Sequence, residues 1–299
     1  MTTAISPSPG NPPSRLDCPP TLVRVKTHRR KLLHRLIAVV TLALLPLGSA
    51  QATWSIIGVD PDTREVGVAG ASCSGMVWPI ARLVPGKGVV VAQAHTSLQG
   101  RNDAATMLEE GRSPEDIIAF LSDSSYDEDS HLRQYAVASL SDSAAVFSGD
   151  SMEPWSGSIL DEHVSIQGNS LVSEAVITDA YAAFYSALDR GAPLEEQLLE
   201  ALEAGSAAGG DNRCPENKTA KSAFLFVADP DDGRRSPRIE IKARDPRGDG
   251  NPVDEVRERY DRQDFGCQLA PSPSGGGILV LGMFLFCCRK KKMTPVAVR

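Results

Sequence analysis

Strand-forming segments in this sequence occur in adjacent pairs, and this pairing restricts the possible folds more than any other feature. Residues 54–60 and 65–72 are rich in β-formers and are separated by the turn-forming sequence Pro-Asp-Thr-Arg. The same plan recurs in segments 133–140 with 144–148 and 222–228 with 238–242, and single strands are predicted at 88–95 and 163–167. Short connections join antiparallel strands, so antiparallel sheets are expected.

Helices are also predicted in pairs. A helix is predicted over residues 102–110, ended by Gly111. Apolar spacing indicates three more, from residue 114 onward, over 174–188 and over 194–203. The helix from residue 114 onward begins with a capping Ser113, a proline at the first helical position and an acid three residues after the cap. Paired strands followed by paired helices favour an α+β fold over a doubly wound parallel sheet.

The first 52 residues have the layout of an export signal. A basic region over residues 24–35 precedes an uncharged run over 36–47, which is long enough for a signal peptide and short of a membrane span. Ala50 and Ala52 supply the small residues that a signal peptidase needs, so cleavage after Ala52 would leave Thr53 first. Cleavage after Ala50 is the alternative. We therefore predict a signal peptide over residues 1–52 and a location in the periplasm or at the cell surface.

The C-terminal residues 267–299 form a second sorting feature. A Pro/Ser/Gly linker over 271–277 leads to an apolar segment over 278–288 and a basic cluster over 289–292. Together they resemble the C-terminal sorting tags of Gram-negative bacteria, in which case Cys267 is the lipidation or sorting residue. A plain tail anchor is the alternative, with the basic cluster on the cytoplasmic side of the membrane. Either interpretation associates the protein with a membrane and leaves residues 53–266 as one domain.

The charge of that domain argues against nucleic acid as a partner. Residues 53–266 hold 19 Lys and Arg against 37 Asp and Glu, a formal charge of −18. Such a surface repels a phosphate backbone.

Two cysteines, Cys73 and Cys214, lie in the domain. In an exported protein a disulfide between them is the simplest expectation, with two free thiols or one reactive thiol as alternatives. The histidines are scattered and no metal-ligand spacing occurs, so we expect no metal and no other cofactor. The acidic cluster before Gly233 is predicted to be a turn in preference to a calcium site.

A threonine exposed by signal cleavage would carry both a nucleophile and a base. Its α-amino group titrates near pH 8, so at neutral pH part of it can accept the proton of the hydroxyl. The alternative is that Thr53 merely begins a strand.

The order of several short motifs resembles domain-of-unknown-function family 1028 over residues 53–262. The matching segments are Thr53-Trp54-Ser55-Ile56-Ile57-Gly58-Val59-Asp60-Pro61, residues 67–72, Gln93-Ala94 with Thr96, Gln167-Gly168-Asn169, residues 201–205, Gly209-Gly210-Asp211 with Arg213, and residues 252–256. Trp54, where the family usually has Phe, and the cysteine pair depart from its pattern.

The resemblance implies an N-terminal-nucleophile hydrolase-like fold, a four-layer αββα sandwich, and hydrolysis of an amide in a small molecule or peptide, such as a peptidoglycan fragment. Thr53 would be the nucleophile, Asn169 an oxyanion donor and Asp211 an orienting acid. Gln167, Gly168, Gly210 and Arg213 would bind substrate, although the glycines are equally consistent with turns. A homo-oligomer is compatible with this interpretation. Two other hypotheses stay open, a non-catalytic small-ligand-binding module on the same fold and a surface-displayed structural protein.

Overall fold

The structure is a computed structural model that describes residues 52–245 and 247–265. Within these residues the chain forms two antiparallel sheets and five α-helices. The larger sheet contains β1 (Thr53–Asp60), β2 (Glu65–Ser72), β7 (Gly157–Leu160), β8 (Val164–Asn169), β9 (Ser222–Ala228) and β10 (Ile239–Arg244). The smaller sheet contains β3 (Ala81–Val84), β4 (Gly88–Ala94), β5 (Arg133–Ser139) and β6 (Ala145–Ser148). The helices are α1 (Leu98–Glu109), α2 (Pro114–Ser122), α3 (Ala175–Asp189), α4 (Leu194–Ala207) and α5 (Pro252–Phe265).

The strand order places β1 and β2 at the centre of the larger sheet. That sheet runs β10-β9-β2-β1-β8-β7, and the smaller one runs β3-β4-β5-β6. In β1, Trp54 and Ile56 belong to one apolar cluster, whereas Ile57 and Val59 belong to another. Since successive residues of a strand face opposite sides, β1 is buried on both faces.

Three apolar clusters hold these elements together. The first joins one face of the larger sheet to α3, α4 and α5. The second contains residues of β1, β2, β4 and β5 and therefore lies between the two sheets. The third joins the other face of the smaller sheet to α1 and α2.

Small residues let α4 approach the larger sheet closely. A Cβ on Gly67 would lie 2.5 Å from Leu198 Cδ1, and one on Gly58 would lie 3.3 Å from Leu194 Cδ1. Side chains at these two positions would push the helix away, so glycine in both strands permits the close contact.

The α+β prediction is confirmed, as are the three predicted hairpins and the antiparallel pairing. The capping role of Ser113 is confirmed too, because its side chain accepts a hydrogen bond from the Asp116 N–H. The acidic cluster before Gly233 is a turn, in which the N–H of Asp232 donates to the carbonyl of Asp229.

Element boundaries differ from the prediction in several places. The first helix begins at Leu98, capped by Ser97, and α4 continues to Ala207. The short strands β3 and β7 and the helix α5 were not predicted. Strands of four residues offer too few positions for an alternation to be recognised.

The predicted signal peptide, the C-terminal tail and Cys267 lie outside the described residues. Among residues 52–245 and 247–265, no helix is long and apolar enough to cross a membrane.

Candidate functional site

Thr53 begins β1 at an end of the larger sheet where several polar side chains converge. It pairs with Asn169 of β8, while Trp54 pairs with Ala71 of β2, so Ser72 lies next to Thr53 on the other side. The alternation along β1 turns the Thr53 side chain toward the space between the sheets, on the same side as Ser55. Thr53 is only 1 % exposed, so the intact chain buries this residue.

The peptide bond before Thr53 is held by two donors from distant parts of the chain. The carbonyl oxygen of Ala52 accepts a hydrogen bond from Ser72 Oγ at 2.5 Å and another from Arg213 Nη2 at 2.9 Å. This carbonyl belongs to the bond that cleavage after Ala52 would break. A hydroxyl and a guanidinium therefore point at the place where a new α-amino group would form.

Asp211 fixes Arg213 in this position. Its Oδ2 accepts hydrogen bonds from Arg213 Nη2 at 2.9 Å and from the N–H of Cys73 at 2.6 Å. Its Oδ1 accepts from the N–H of Arg213 at 2.9 Å and from Arg213 Nε at 3.2 Å. Asp211 is 1 % exposed, and the two-point pairing with a cation offsets the cost of burying its charge.

The predicted disulfide is confirmed and fastens the same corner. Cys73 and Cys214 are bonded, with their Cα atoms 5.4 Å apart. The bond ties the end of β2 to the loop that carries Asp211 and Arg213. These two cysteines and Asp211 form a group close enough to hold a metal ion, but disulfide sulfurs are not thiolates, and thiolates are the cysteine ligands of metals.

A chain of buried side-chain hydrogen bonds continues from this corner between the sheets. Gln93 of β4 accepts from Ser55 Oγ at 2.6 Å, and its Nε2 donates to Gln134 Oε1 of β5 at 2.7 Å. On the other side of Ser55, the hydroxyl accepts from Gln167 Nε2 at 2.7 Å. Gln93 Nε2 also lies 3.4 Å from the carbonyl of Thr53, which links the chain to the candidate nucleophile.

Asn169, directly across from Thr53, is incompletely hydrogen-bonded within the described part of the chain. Its Nδ2 donates a long hydrogen bond of 3.4 Å to Gln134 Oε1, and its buried Oδ1 has no partner there. The residue after it, Ser170, has a φ of 50°, and Ala94, which follows Gln93, has a φ of 66°. Left-handed backbone at a non-glycine residue is unfavourable and concentrates at functional sites. Such residues occur here at the last residue of β4 and directly after Asn169, the residue that pairs with Thr53.

The structure brings together some of the predicted site residues. Thr53, Asn169, Asp211 and Arg213 converge on the bond between Ala52 and Thr53, as described above. Gln167 belongs to the buried chain of hydrogen bonds, where its Nε2 donates to Ser55 and its Oε1 accepts from Ser165 Oγ at 2.6 Å. Both ends of its amide are thus occupied within the protein.

The two glycines predicted to bind substrate lie in tightly packed backbone. Gly210 has a φ of 63° and its N–H donates to the carbonyl of Gly205, while an added Cβ would lie 2.6 Å from the carbonyl oxygen of Thr219. At Gly168 an added Cβ would lie 2.4 Å from Leu171 Cδ1 and 3.1 Å from the Thr53 oxygen. Close packing accounts for glycine at both positions.

Ser72 and Gln134 were missed by sequence reasoning. Both are polar residues at inward positions of otherwise apolar strands, as are Ser55, Gln93 and Gln167. The sequence did hold a signal for such residues. In each strand a polar residue stands at a position where the alternation predicts a buried side chain.

Comparison with known proteins identifies a family but no activity. The family model DUF1028, described as a family of unknown function, matches residues 53–255. The crystal structure of protein SPO2555 from Silicibacter pomeroyi, a DUF1028 protein, is similar with a TM-score of 0.59 and 26% sequence identity, over 71% of this chain and 88% of that one. No curated protein matches the sequence significantly.

Proposed function

This chain belongs to the DUF1028 family, and from that premise we propose that it is an exported amide hydrolase whose nucleophile is an N-terminal Thr53. The substrate class is a peptide or another small amide, such as a peptidoglycan fragment. Export and removal of residues 1–52 are parts of the proposal, as is membrane association through residues 267–299. The fold proposed is the four-layer αββα sandwich of N-terminal-nucleophile hydrolases.

The distribution of the apolar clusters supports that fold. One cluster joins helices to the larger sheet, one lies between the sheets, and one joins the smaller sheet to its helices. Four layers need three such interfaces.

The observation that carries the proposal is the arrangement around the bond between Ala52 and Thr53. Any buried carbonyl needs a hydrogen-bond partner, so a single donor to the Ala52 carbonyl would be ordinary. Here there are two, and Arg213 is itself fixed by a buried carboxylate and a neighbouring disulfide. Once Ala52 is removed, Ser72, Asp211 and Arg213 would surround the new α-amino group of Thr53.

These groups suit catalysis by a terminal threonine. The neutral α-amine of Thr53 accepts the proton of Thr53 Oγ as that oxygen attacks the carbonyl carbon of the amide. The carbon–nitrogen bond then breaks, and the proton goes to the departing amine. Water attacks the resulting ester, which releases the carboxylic acid and restores the hydroxyl.

Charge stabilisation would come from donors that the protein holds in place. Asn169 Nδ2 lies beside Thr53 with one long hydrogen bond, and Ser72 Oγ and Arg213 lose their Ala52 acceptor on cleavage. Preorganised donors of this kind supply much of the rate enhancement in acyl transfer. Asp211 favours a protonated amine and Arg213 opposes it, so the pair adjusts the basicity of the amine.

Two linked measurements test the proposal on the exported protein. Mass analysis of the mature chain is expected to show Thr53 as its first residue. An electrophilic probe for N-terminal nucleophiles is then expected to label it once. Thr53→Ala should abolish labelling, whereas the matched variant Thr53→Ser should keep it because the hydroxyl remains.

Two results would contradict catalysis. A mature chain that begins at Gln51 has no terminal hydroxyl in the required place. A correctly processed chain that is not labelled would instead favour the non-catalytic binding module, or a structural protein at the cell surface.

A further inference from the structure

We infer that a basic cleft beside the disulfide binds the carboxylate end of a short peptide substrate. This inference rests on the proposed function of Thr53. The cleft has a volume of about 460 Å³ and is lined by Cys73, Gly75, Pro215, Lys221, Asp245, Arg244, Arg247 and Gly248. Three of those side chains are cations.

Those cations form no ion pair or hydrogen bond within the described part of the chain, although Arg244 lies over the Trp78 ring, 6.0 Å from its centroid. Residues 53–266 carry a formal charge of −18, and other arginines such as Arg238 and Arg257 each pair with two or more carboxylates. By contrast, the side chains of Lys221, Arg244 and Arg247 form no ion pair or hydrogen bond with any residue in 52–245 or 247–265. Unpaired cations gathered in one cleft attract an anion.

Asp245 is the one acid that lines the cleft, and a single carboxylate does not neutralise three cations. Asp245 accepts hydrogen bonds from the N–H groups of Gly248 at 2.7 Å and Gly250 at 2.9 Å. It also pairs with Lys218, which does not line the cleft, at 3.6 Å. These contacts hold the pKa of Asp245 below its usual value, although burial alone would raise it. Asp245 therefore carries one negative charge against three cations, which leaves the residues that line the cleft with a formal charge of +2.

Strand register places the cleft at the same end of the sheet as Thr53. Arg244 of β10 pairs with Ser222 of β9, which pairs with Ser72 of β2, the neighbour of Thr53. The alternation in each strand turns Arg244 away from the helices, toward the side of the sheet that Thr53 also faces. Neighbouring strands lie about 4.8 Å apart, so the backbone of Lys221 lies roughly 10 Å from that of Thr53 and the backbone of Arg244 roughly 14 Å from it.

That separation determines the substrate class. An extended peptide spans about 3.3 to 3.6 Å per residue. A carboxylate in the cleft would therefore lie about three or four residues beyond the amide that Thr53 attacks. We expect substrates that are short peptides with a free C-terminal carboxylate, cleaved near their other end.

Calorimetry on the Thr53→Ala variant tests binding apart from hydrolysis. The probes are Ala-Ala-Ala-Ala with a free C-terminal carboxylate and the same peptide as its C-terminal amide. We expect the acid to bind about tenfold more tightly or better, as for a charge-assisted contact, with a preference that weakens as salt screens the charges. Arg244→Gln combined with Arg247→Gln should remove the preference.

Arg235→Gln is the matched control. It removes the same charge from the turn at the opposite end of the β9–β10 hairpin, and it should leave the preference unchanged. Thermal unfolding of each variant checks that the fold is retained, as expected for the exposed Arg244.

Three results would overturn the inference. The first is equal affinity for the peptide acid and the peptide amide. The second is an equal loss of the preference for the acid in the cleft variant and in the control variant. The third is that inorganic phosphate displaces the bound peptide acid at the same concentration as the unlabelled peptide does. Each is independent of whether Thr53 is labelled by the electrophilic probe, so this inference and the proposed function can fail separately.

Discussion

The two ends of the β1–β8 strand pair differ in how they accommodate polar side chains. At the Thr53 end, buried serines and glutamines form hydrogen bonds between residues that lie far apart in the sequence, such as Ser55 with Gln167. At the Asp60 end the side-chain bonds are of two other kinds, local or exposed bonds and the ion pairs of one arginine, Arg238, with Glu65 and Glu195. Asp60 accepts from the N–H groups of Asp62 and Thr63, and Asp161 accepts from the hydroxyls of Tyr181 and Tyr185.

This difference separates a structural turn from a candidate site. A turn whose own side chains satisfy its backbone N–H groups does not depend on contacts with distant parts of the chain. A buried polar group is costly unless it is hydrogen-bonded, so a protein that retains many of them in one place has a further use for them. We interpret the Thr53 end as the functional end for this reason.

The largest expected effect concerns the disulfide, which lies at the Thr53 end and has no counterpart at the other end among residues 52–245 and 247–265. Cys73 and Cys214 are 141 residues apart, so the bond removes much entropy from the unfolded chain. Replacing both cysteines with serine should lower the free energy of unfolding by about 4 kcal/mol. Denaturant unfolding measures this change.

Hydrogen exchange makes the disulfide prediction specific to one end of the molecule. In the double serine variant, amides of the loop after Asp211 should exchange faster, whereas those of the turn from Asp60 to Arg64 should not change. Faster exchange at both ends alike would contradict the view that the bond serves the Thr53 corner. The same variant also tests whether labelling of Thr53 needs Asp211 and Arg213 to be held in place.

The next effect compares two glutamines, one at each end. Gln134 hydrogen-bonds with Gln93, Ser148 and the carbonyl of Gly168, whereas Gln197, near Asp60, donates to the carbonyl of Ala192. Gln134→Ala leaves several buried groups unpaired and should destabilise the protein by about 3 kcal/mol, against about 1 kcal/mol for Gln197→Ala.

Equilibrium unfolding of both glutamine variants distinguishes the two ends. Since the same atoms are removed in each case, side-chain size cannot account for a difference. Equal losses would show that the polar network adds nothing beyond ordinary hydrogen bonding.

The smallest effect is on pH dependence. The pKa of Asp127 lies below its usual value: burial would raise it, but hydrogen bonds from Arg133 and the N–H of Asp129 outweigh that effect. Arg133 also donates to the carbonyl of His95, near the Thr53 end. Because the folded pKa is lowered, the stabilisation is complete above the unfolded value of about 3.9 and is lost as the pH falls through the folded value.

Arg133→Gln tests this assignment against an acid at the other end. The variant should raise the pKa of Asp127. It should also lower the free energy of unfolding by about 1 kcal/mol at pH 6, and by less near pH 3. The pKa of Asp161 is lowered chiefly by its hydrogen bond with Tyr185, so it should not change. NMR titration of both carboxyl groups measures the shifts, and a change at Asp161 would show that the effect is not local.

Much of the fold could be predicted because its elements depend on local chemistry. The turn between β1 and β2, the Ser113 cap and the apolar face of α4 each involve residues within a few positions of one another. The start of α1 was misplaced because Gln99, Gly100 and Arg101 give its first turn no apolar pattern. Here the cap at Ser97 and packing against the smaller sheet determine the boundary.

The candidate site was predictable only in part. Family resemblance suggested Thr53, Asn169, Asp211 and Arg213, and the structure places these four around one peptide bond. It suggested Gln167 as a substrate-binding residue but gave no role to Ser72, Gln93 or Gln134, because a polar residue inside a strand reveals its partner only when the neighbouring strands are known.

The amino-acid sequence by itself determined the three hairpins, four of the five described helices, the acidic charge and the cysteine pair. Tertiary structure alone decided which groups meet at Ala52 and Thr53. Ser72 is 20 residues from Ala52 and Arg213 is 161 residues away, yet both donate to the same carbonyl oxygen. Such contacts depend on the order β9-β2-β1-β8 and on the loop that the disulfide fastens, and that order follows from packing of whole apolar faces.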